Sequence, residues 1–231
     1  MKFSTALYLM LFSSFIVQSQ TYEIGGFLGG ANYIGDIGKT TYIAPNTPVF
    51  GGLFRWNRSA RHSFRASLTF AKIKGDDKDS KESRRIERGY KFENNIMEAS
   101  IGIEYTFWEF DMFSDKAPSA PYMYTGITYF WYNALYNQPG NSDIVEYDNA
   151  ASAALPIILG YKTVVGTKFV LSFEIGARYT FTDGLDGSNP VNDLEGNRDL
   201  QFGNINNNDW YMFTGLSLTY TFGRKPCYCN F

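Results

Sequence analysis

The sequence predicts an all-β chain: an eight-stranded antiparallel transmembrane β-barrel of the outer-membrane type, with a filled interior. Three observations carry this. Eight stretches alternate apolar and polar side chains, they follow an N-terminal export signal, and charge is confined to one of their two faces.

The export signal comes first in the chain. Met1-Lys2 is a short basic start, Ala6 to Val17 an apolar run, and Val17-Gln18-Ser19 the small-residue approach to a cut before Gln20. Residues 1–19 are therefore read as a signal peptide, 20–223 as the barrel and 224–231 as a periplasmic tail. The apolar run is short for a membrane-spanning helix, and nothing after Ser19 is longer.

The strands follow in chain order. In the first, Tyr22, Ile24, Leu28 and Ile34 oppose Glu23, Gly25, Gly29 and Tyr33. In the second, Phe50, Phe54 and Trp56 oppose Gly51, Leu53 and Arg55. Phe64, Ala66, Leu68 and Phe70 then oppose Arg65, Ser67 and Thr69. Between Asn95 and Trp108, Met97, Ile101, Ile103, Tyr105 and Phe107 oppose Glu98, Ser100, Gly102, Glu104 and Thr106. The fifth strand, Met123 to Trp131, is aromatic on both faces. The sixth, Ala153 to Tyr161, is a nearly continuous apolar run whose period is ambiguous. From Phe169 to Phe181 the apolar residues oppose Ser172, Glu174, Gly176 and Arg178. In the last, Trp210 to Phe222, Met212, Leu216, Leu218 and Tyr220 oppose Gly215, Ser217 and Thr219.

A soluble sandwich also alternates, but its polar faces meet water and are rich in Lys and Glu. Here those faces hold Gly, Ser and Thr with one or two charges per strand, which suits a narrow lumen. The opposite faces carry no charge within these spans, as lipid contact requires, and aromatic residues collect at the strand ends. Four long connections (36–48, 74–94, 137–149 and 183–209) alternate with three shorter ones (57–61, 109–120 and 164–168). Long loops belong outside and short turns in the periplasm, so both termini are expected in the periplasm.

The inward charges are Glu23, Arg55, Arg65, Glu98, Glu104, Lys162, Glu174 and Arg178. Glu23, Arg55, Arg65 and Glu104 should share a depth in the periplasmic half and form a sealing ion network rather than a conduit. The sole histidine, His62, falls at the periplasmic rim, and no nucleophile, base and orienter assemble, so no catalytic role is expected. Asp183, Asp186, Asp193, Glu195, Asp199 and Asp209 read as solvated charge of the fourth outer loop, without metal-loop spacing, and the mixed charges of Asp76 to Arg88 as a mobile surface loop. No cofactor or small-molecule substrate is called for. A net charge of −2 and a mean hydropathy of −0.26 argue for neither nucleic acid nor a helical membrane protein.

Beyond Phe222 the chain continues Gly223-Arg224-Lys225-Pro226-Cys227-Tyr228-Cys229-Asn230-Phe231. Two cysteines in an oxidising compartment point to a bond or a contact. Cys227, Tyr228, Cys229 and Phe231 are accordingly candidates for partner binding.

Glu23-Ile24-Gly25-Gly26 with Tyr33-Ile34-Gly35-Asp36, the run Arg178-Tyr179-Thr180-Phe181-Thr182-Asp183, Asp209-Trp210-Tyr211 and the closing Cys227-Tyr228-Cys229-Asn230-Phe231 resemble the PorG-type outer-membrane barrels of Bacteroidota, across essentially the whole mature chain. The resemblance implies an eight-stranded barrel of the type IX protein secretion system, attached to a periplasmic ring built from a lipoprotein and its partner subunit. The competing expectations are a surface adhesion barrel, in which the outer loops bind, and a small-solute barrel.

Overall fold

Side chains that alternate in polarity over ten or more residues can satisfy both faces of a strand only where one side is dry and the other enclosed. The computed structural model describes residues 21–113, 118–138, 140, 142–204 and 206–223. The expected signal peptide and the tail with Cys227, Tyr228, Cys229 and Phe231 lie outside the described residues. Eight antiparallel strands pair in sequence order and the last returns to the first, closing the predicted barrel. They are β1 (Thr21–Ile34), β2 (Thr47–Asn57), β3 (His62–Asp76), β4 (Lys91–Thr106), β5 (Ser119–Asn137), β6 (Ile144–Val165), β7 (Phe169–Thr180) and β8 (Trp210–Gly223).

The registers fix the shape. Starting at Pro121 on β5 and passing from partner to partner through Tyr161, Phe173, Leu216, Leu28, Phe50, Phe70 and Met97, the row returns to β5 at Trp131, ten residues along. Eight strands staggered in this way tilt by about 40° and enclose a bore only wide enough for side chains. The outward residues form a belt: Leu28 is 70 % exposed and Ile127 69 %, beside Ile24, Ile101 and Leu218. From His62 to Lys72 on β3 there are roughly ten residue steps, so the band is about 25 Å tall at about 3.3 Å per step and this tilt. Tyr22 stacks with Phe54 and Phe222 at one edge, and Tyr179 with Phe181 and Trp210 at the other.

The rim that holds residues 21 and 223 is called the near rim. Its connections are 58–61, 107–118 and 166–168; those of the far rim are 35–46, 77–90, 138–143 and 181–209. Three loop expectations are corrected. The expected third outer loop, 137–149, is mostly strand, because β5 and β6 run on as a hairpin beyond the belt. The charged run 76–88 is ordered: it contains α1 (Ser83–Arg88), and Arg88 Nε donates to the buried Asp77 carboxylate at 2.8 Å. The 35–46 loop folds down the outer wall, where the Asn32 amide donates to the Thr41 and Tyr42 carbonyls; Asn32 and its register partner Met212, both on the outward face, are buried there.

The ambiguous sixth strand resolves with Ile158, Gly160 and Lys162 inward. Gly160 is required by space: a Cβ there would sit 2.4 Å from the Tyr122 ring. Gly160→Val should overpack this layer and cost about 1–3 kcal/mol. It is expected to lower the temperature at which the folded band converts to the unfolded one on a semi-native gel.

Candidate functional site

The lumen is built from the charges that alternation turns inward. Arg55 lies at the centre of the near-rim half, fully buried, and its planar fork reaches three carboxylates. Nη1 donates to Glu23 at 2.9 Å, Nε to Glu104 at 2.8 Å and Nη2 to Glu174 at 3.4 Å. Arg65 pairs with Glu174 at 2.9 Å and lies 3.9 Å from Glu104, while Lys162 Nζ donates to Glu104 at 2.8 Å. Three carboxylates thus face three cations and the layer is neutral. Hydroxyl and amide donors fill the remaining lone pairs: Thr219 and Asn57 to Glu23, and Tyr122 and Ser217 to Glu174. Arg65 also lies over the Tyr124 ring, 5.1 Å from its centroid.

Farther up the bore Arg178 pairs with Glu98 at 3.1 Å, Tyr211 OH donates to Glu98 at 2.8 Å, and the guanidinium lies 4.1 Å from the Phe213 centroid. The space between the two charged layers, bounded by Phe27, Leu53, Thr69 and Ile158, is a cavity of about 10 Å³. A second of similar size lies under Phe110 and Lys162. Each has room for about one water molecule.

Both ends are stoppered. At the near rim residues 107–113 turn back over the mouth: Phe110 N donates to Ala60 O, its ring packs with Ala120, Val164 and Val170, and Lys162 Nζ lies 4.7 Å from its centroid. At the far rim Ile37 and Leu185, from two different loops, enter a core with Tyr33, Phe92, Phe130 and Tyr132. Acids and arginines order the far loops and join them, Asp77 accepting from Gly38 N at 3.0 Å and Asp36 from Asn204 N at 2.9 Å. Asp209 accepts from Tyr33 OH and, at 2.9 Å, from Leu185 N; Asp186 accepts from Ser188 N at 2.9 Å; Arg85 and Arg88 donate to carbonyls of the 35–38 turn.

The structure therefore brings Glu23, Arg55, Arg65, Glu104 and Glu174 into one cluster with Lys162, and Glu98 and Arg178 into a separate pair. Sequence reasoning missed that Glu174 belongs to the Arg55 layer, because its height depends on the stagger of the whole ring. It also missed Tyr122, Tyr211, Phe110, Ile37 and Leu185. Only the aromatic inner face of β5 hinted at the first of these. The reading of the fourth far loop as solvated charge is corrected: Asp193, Glu195 and Asp199 are exposed, but Asp183, Asp186 and Asp209 are buried. Burial pushes the Asp183 carboxyl up to about 8, with the charges of Asp186 and Asp36 adding to it. Burial likewise raises Asp186, and burial with the charge of Asp186 holds Asp209 well above the usual carboxylate range. Among the described residues no group of His, Cys, Asp and Glu is arranged to hold a metal ion.

A closed eight-stranded sheet with an apolar belt, aromatic edges and a charge-balanced, filled bore is a membrane-spanning barrel of the outer-membrane type. The chain belongs to the family described as Domain of unknown function (DUF6089), whose model matches residues 2–231. No curated protein matches it. Among solved structures it is similar to Ail, the attachment invasion locus protein of Yersinia pestis, crystallised with the heparin analogue sucrose octasulfate. That likeness has 8% identity over 88% of this chain and 99% of the other, with a TM-score of 0.47. It is similar as well to the N-terminal β-barrel domain of Pseudomonas aeruginosa OprF, at 11% identity over 89% and 98% of the two chains and a TM-score of 0.44. For Pseudomonas aeruginosa OprG the values are 11%, 89%, 97% and 0.43.

Arg55→Ala leaves Glu23 and Glu104 short of a partner in a dry bore and should cost about 3–5 kcal/mol, read as a lower unfolding temperature on a semi-native gel. The far-rim acids give a second expectation. Their folded pKa values lie above the unfolded value of about 4, so their contribution to loop closure is complete below that pH and is lost at higher pH, for Asp183 as pH rises through about 8. Amide hydrogen exchange at Leu185 and Ser188, corrected for intrinsic rates, should be slower at pH 5 to 6 than at pH 9. Asp183→Asn should flatten that difference.

Proposed function

We propose that this protein is a structural component of the outer membrane: a barrel that anchors a periplasmic ring assembly, as the outer-membrane part of the type IX protein secretion system. It is not an enzyme in this reading, and its partners are the ring lipoprotein and the ring subunit. The observation that carries the proposal is the sealed bore. With a neutral ion layer, two cavities of about one water each and a stopper at either mouth, the lumen is a scaffold rather than a path, so function falls to the rims and the tail. The resemblance to PorG-type barrels supports the choice of assembly. In this reading the near rim, and with it both termini, faces the periplasm, which the shortness of its connections supports.

At that rim the surface offered to a partner includes Phe107 and Trp108, 45 % and 58 % exposed, beside the 58–61 turn. The tail with Cys227, Tyr228, Cys229 and Phe231 continues from the same side. The second reading, a surface adhesion barrel, is favoured by one observation: the far loops are interlocked into an ordered surface, with Asp77 accepting from Gly38 N, Arg88 donating to Asp36 O, and the Asp36 carboxylate accepting from Asn204 N.

Affinity purification from detergent-solubilised outer membranes should bring down the ring lipoprotein. Deleting residues 225–231, or changing Cys227 and Cys229 to Ser, should weaken that capture and reduce secretion, while Asp193→Asn with Asp199→Asn on the far rim leaves both intact. Secretion indifferent to the tail, with surface binding lost on far-loop changes, would favour adhesion instead.

A further inference from the structure

The outer wall is grooved where β4 and β5 part. Phe50, Phe70, Met97 and Trp131 are successive register partners on β2, β3, β4 and β5, all facing outward. One step farther up, Lys72 stands opposite Asn95. There the sheet parts. β4 pairs with β5 only as far as Ile96 and Tyr132; beyond that residues 92–95 keep β3 alone as ladder partner, Lys91 makes an isolated bridge to Asp143, and β5 from Asn133 keeps β6. The buried Asn94 side chain spans the gap, donating to Asn133 O and accepting from Asn133 N, both at 2.9 Å. The parting is thus closed to the lumen and opens only outward, as a groove of about 490 Å³.

The floor of the groove is apolar, formed by Phe50, Phe70, Met97 and Trp131, and its upper edge carries Lys72, Asn95, Asn133 and Asn149. We infer that it binds one anionic lipid of the outer-facing leaflet whose head carries a phosphate, with an acyl chain along the Phe50 to Trp131 row and the phosphate at Lys72 and Asn95. This rests on the membrane placement proposed above. In a bilayer the floor is continuous with the apolar belt, so the chemistry that covers it is an acyl chain. The head of that chain then meets an ammonium group and a carboxamide. Lys72 is paired with Glu93 at 3.0 Å, but the two are 45 % and 62 % exposed, a pairing weak enough in water to yield to a phosphate. The proposed site is a lipid position on the wall, separate from the rims that carry the anchoring proposal.

Trp131 reports on the groove, and Trp210, in the same far-rim girdle but in edge contact with Tyr179 away from it, is the internal control. Two single-tryptophan proteins, retaining Trp131 or Trp210 with the other tryptophans changed to Phe, are placed in phosphatidylcholine vesicles containing a minor fraction of phosphatidylglycerol with brominated acyl chains. Trp131 emission should be quenched several-fold more than Trp210 emission, and Lys72→Glu should bring Trp131 down to the Trp210 level. Lys72 is on the surface, so that variant should keep the folded gel mobility. Equal quenching at the two tryptophans would overturn the inference and leave the membrane placement standing. No quenching at either would overturn the placement itself. An excess at Trp131 that persists in Lys72→Glu, or is as large with brominated phosphatidylcholine, would overturn the assignment of an anionic head at Lys72.

Discussion

The constraint on which the rest of this structure depends is charge balance in a bore filled by side chains. A carboxylate or guanidinium sealed away from solvent costs several kcal/mol unless it is paired and its remaining lone pairs are met. Glu23, Glu104 and Glu174 against Arg55, Arg65 and Lys162 satisfy both conditions, because the six groups come from six different strands. Each pair therefore tests the register of the whole ring. A slip of one residue in any of these six strands would turn its charged group into lipid and leave a partner bare.

The same economy of space explains the stoppers. Above the Arg55 layer the inward side chains become large and apolar, among them Phe27, Leu53, Phe130 and Phe213, and a barrel wall alone cannot cover their upper ends. The far loops supply the cover with Ile37 and Leu185, which requires the loop backbone to enter the bore with its polar groups paired. Asn94 and Asp209 provide that pairing by bonding Leu185 on its carbonyl and amide sides. The raised carboxyls of Asp183, Asp186 and Asp209 follow from this: acids that hold a loop in a dry place favour their neutral form.

Strands and faces were legible in the sequence because alternation is local. Residues such as Met97, Ile101 and Ile103 against Glu98, Ser100 and Glu104 declare their sides without knowledge of any other strand. Which inward charges meet was legible only in part. Glu174 joins the Arg55 layer through a stagger of ten residues around the ring, a quantity no single strand encodes. Loop burial was least legible. Asp186 and Asp193 look alike in the chain, and what separates them is whether Tyr33, Asn94 and Phe130, distant in sequence, build a cavity beneath. The sixth strand misled in a narrower way: a run with apolar residues on both faces is what a wall against lipid outside and Ile158 against a dry bore inside both require.

The filled bore also bears on where evolution could place function in this fold. An eight-stranded barrel whose interior is occupied by balanced ion pairs and closed by an apolar stopper at each mouth has no interior left to specialise without loss of stability. Its free variables are the two rims and the outer wall. The near rim is compact and presents Phe107 and Trp108, while the far rim is long-looped yet ordered by Asp77, Arg88 and Asp209. A rigid body with one compact face and one elaborated face, fixed upright by its aromatic edges, can hold a partner at a set height and orientation relative to the bilayer. A conducting barrel would instead need the bore that this sequence has filled.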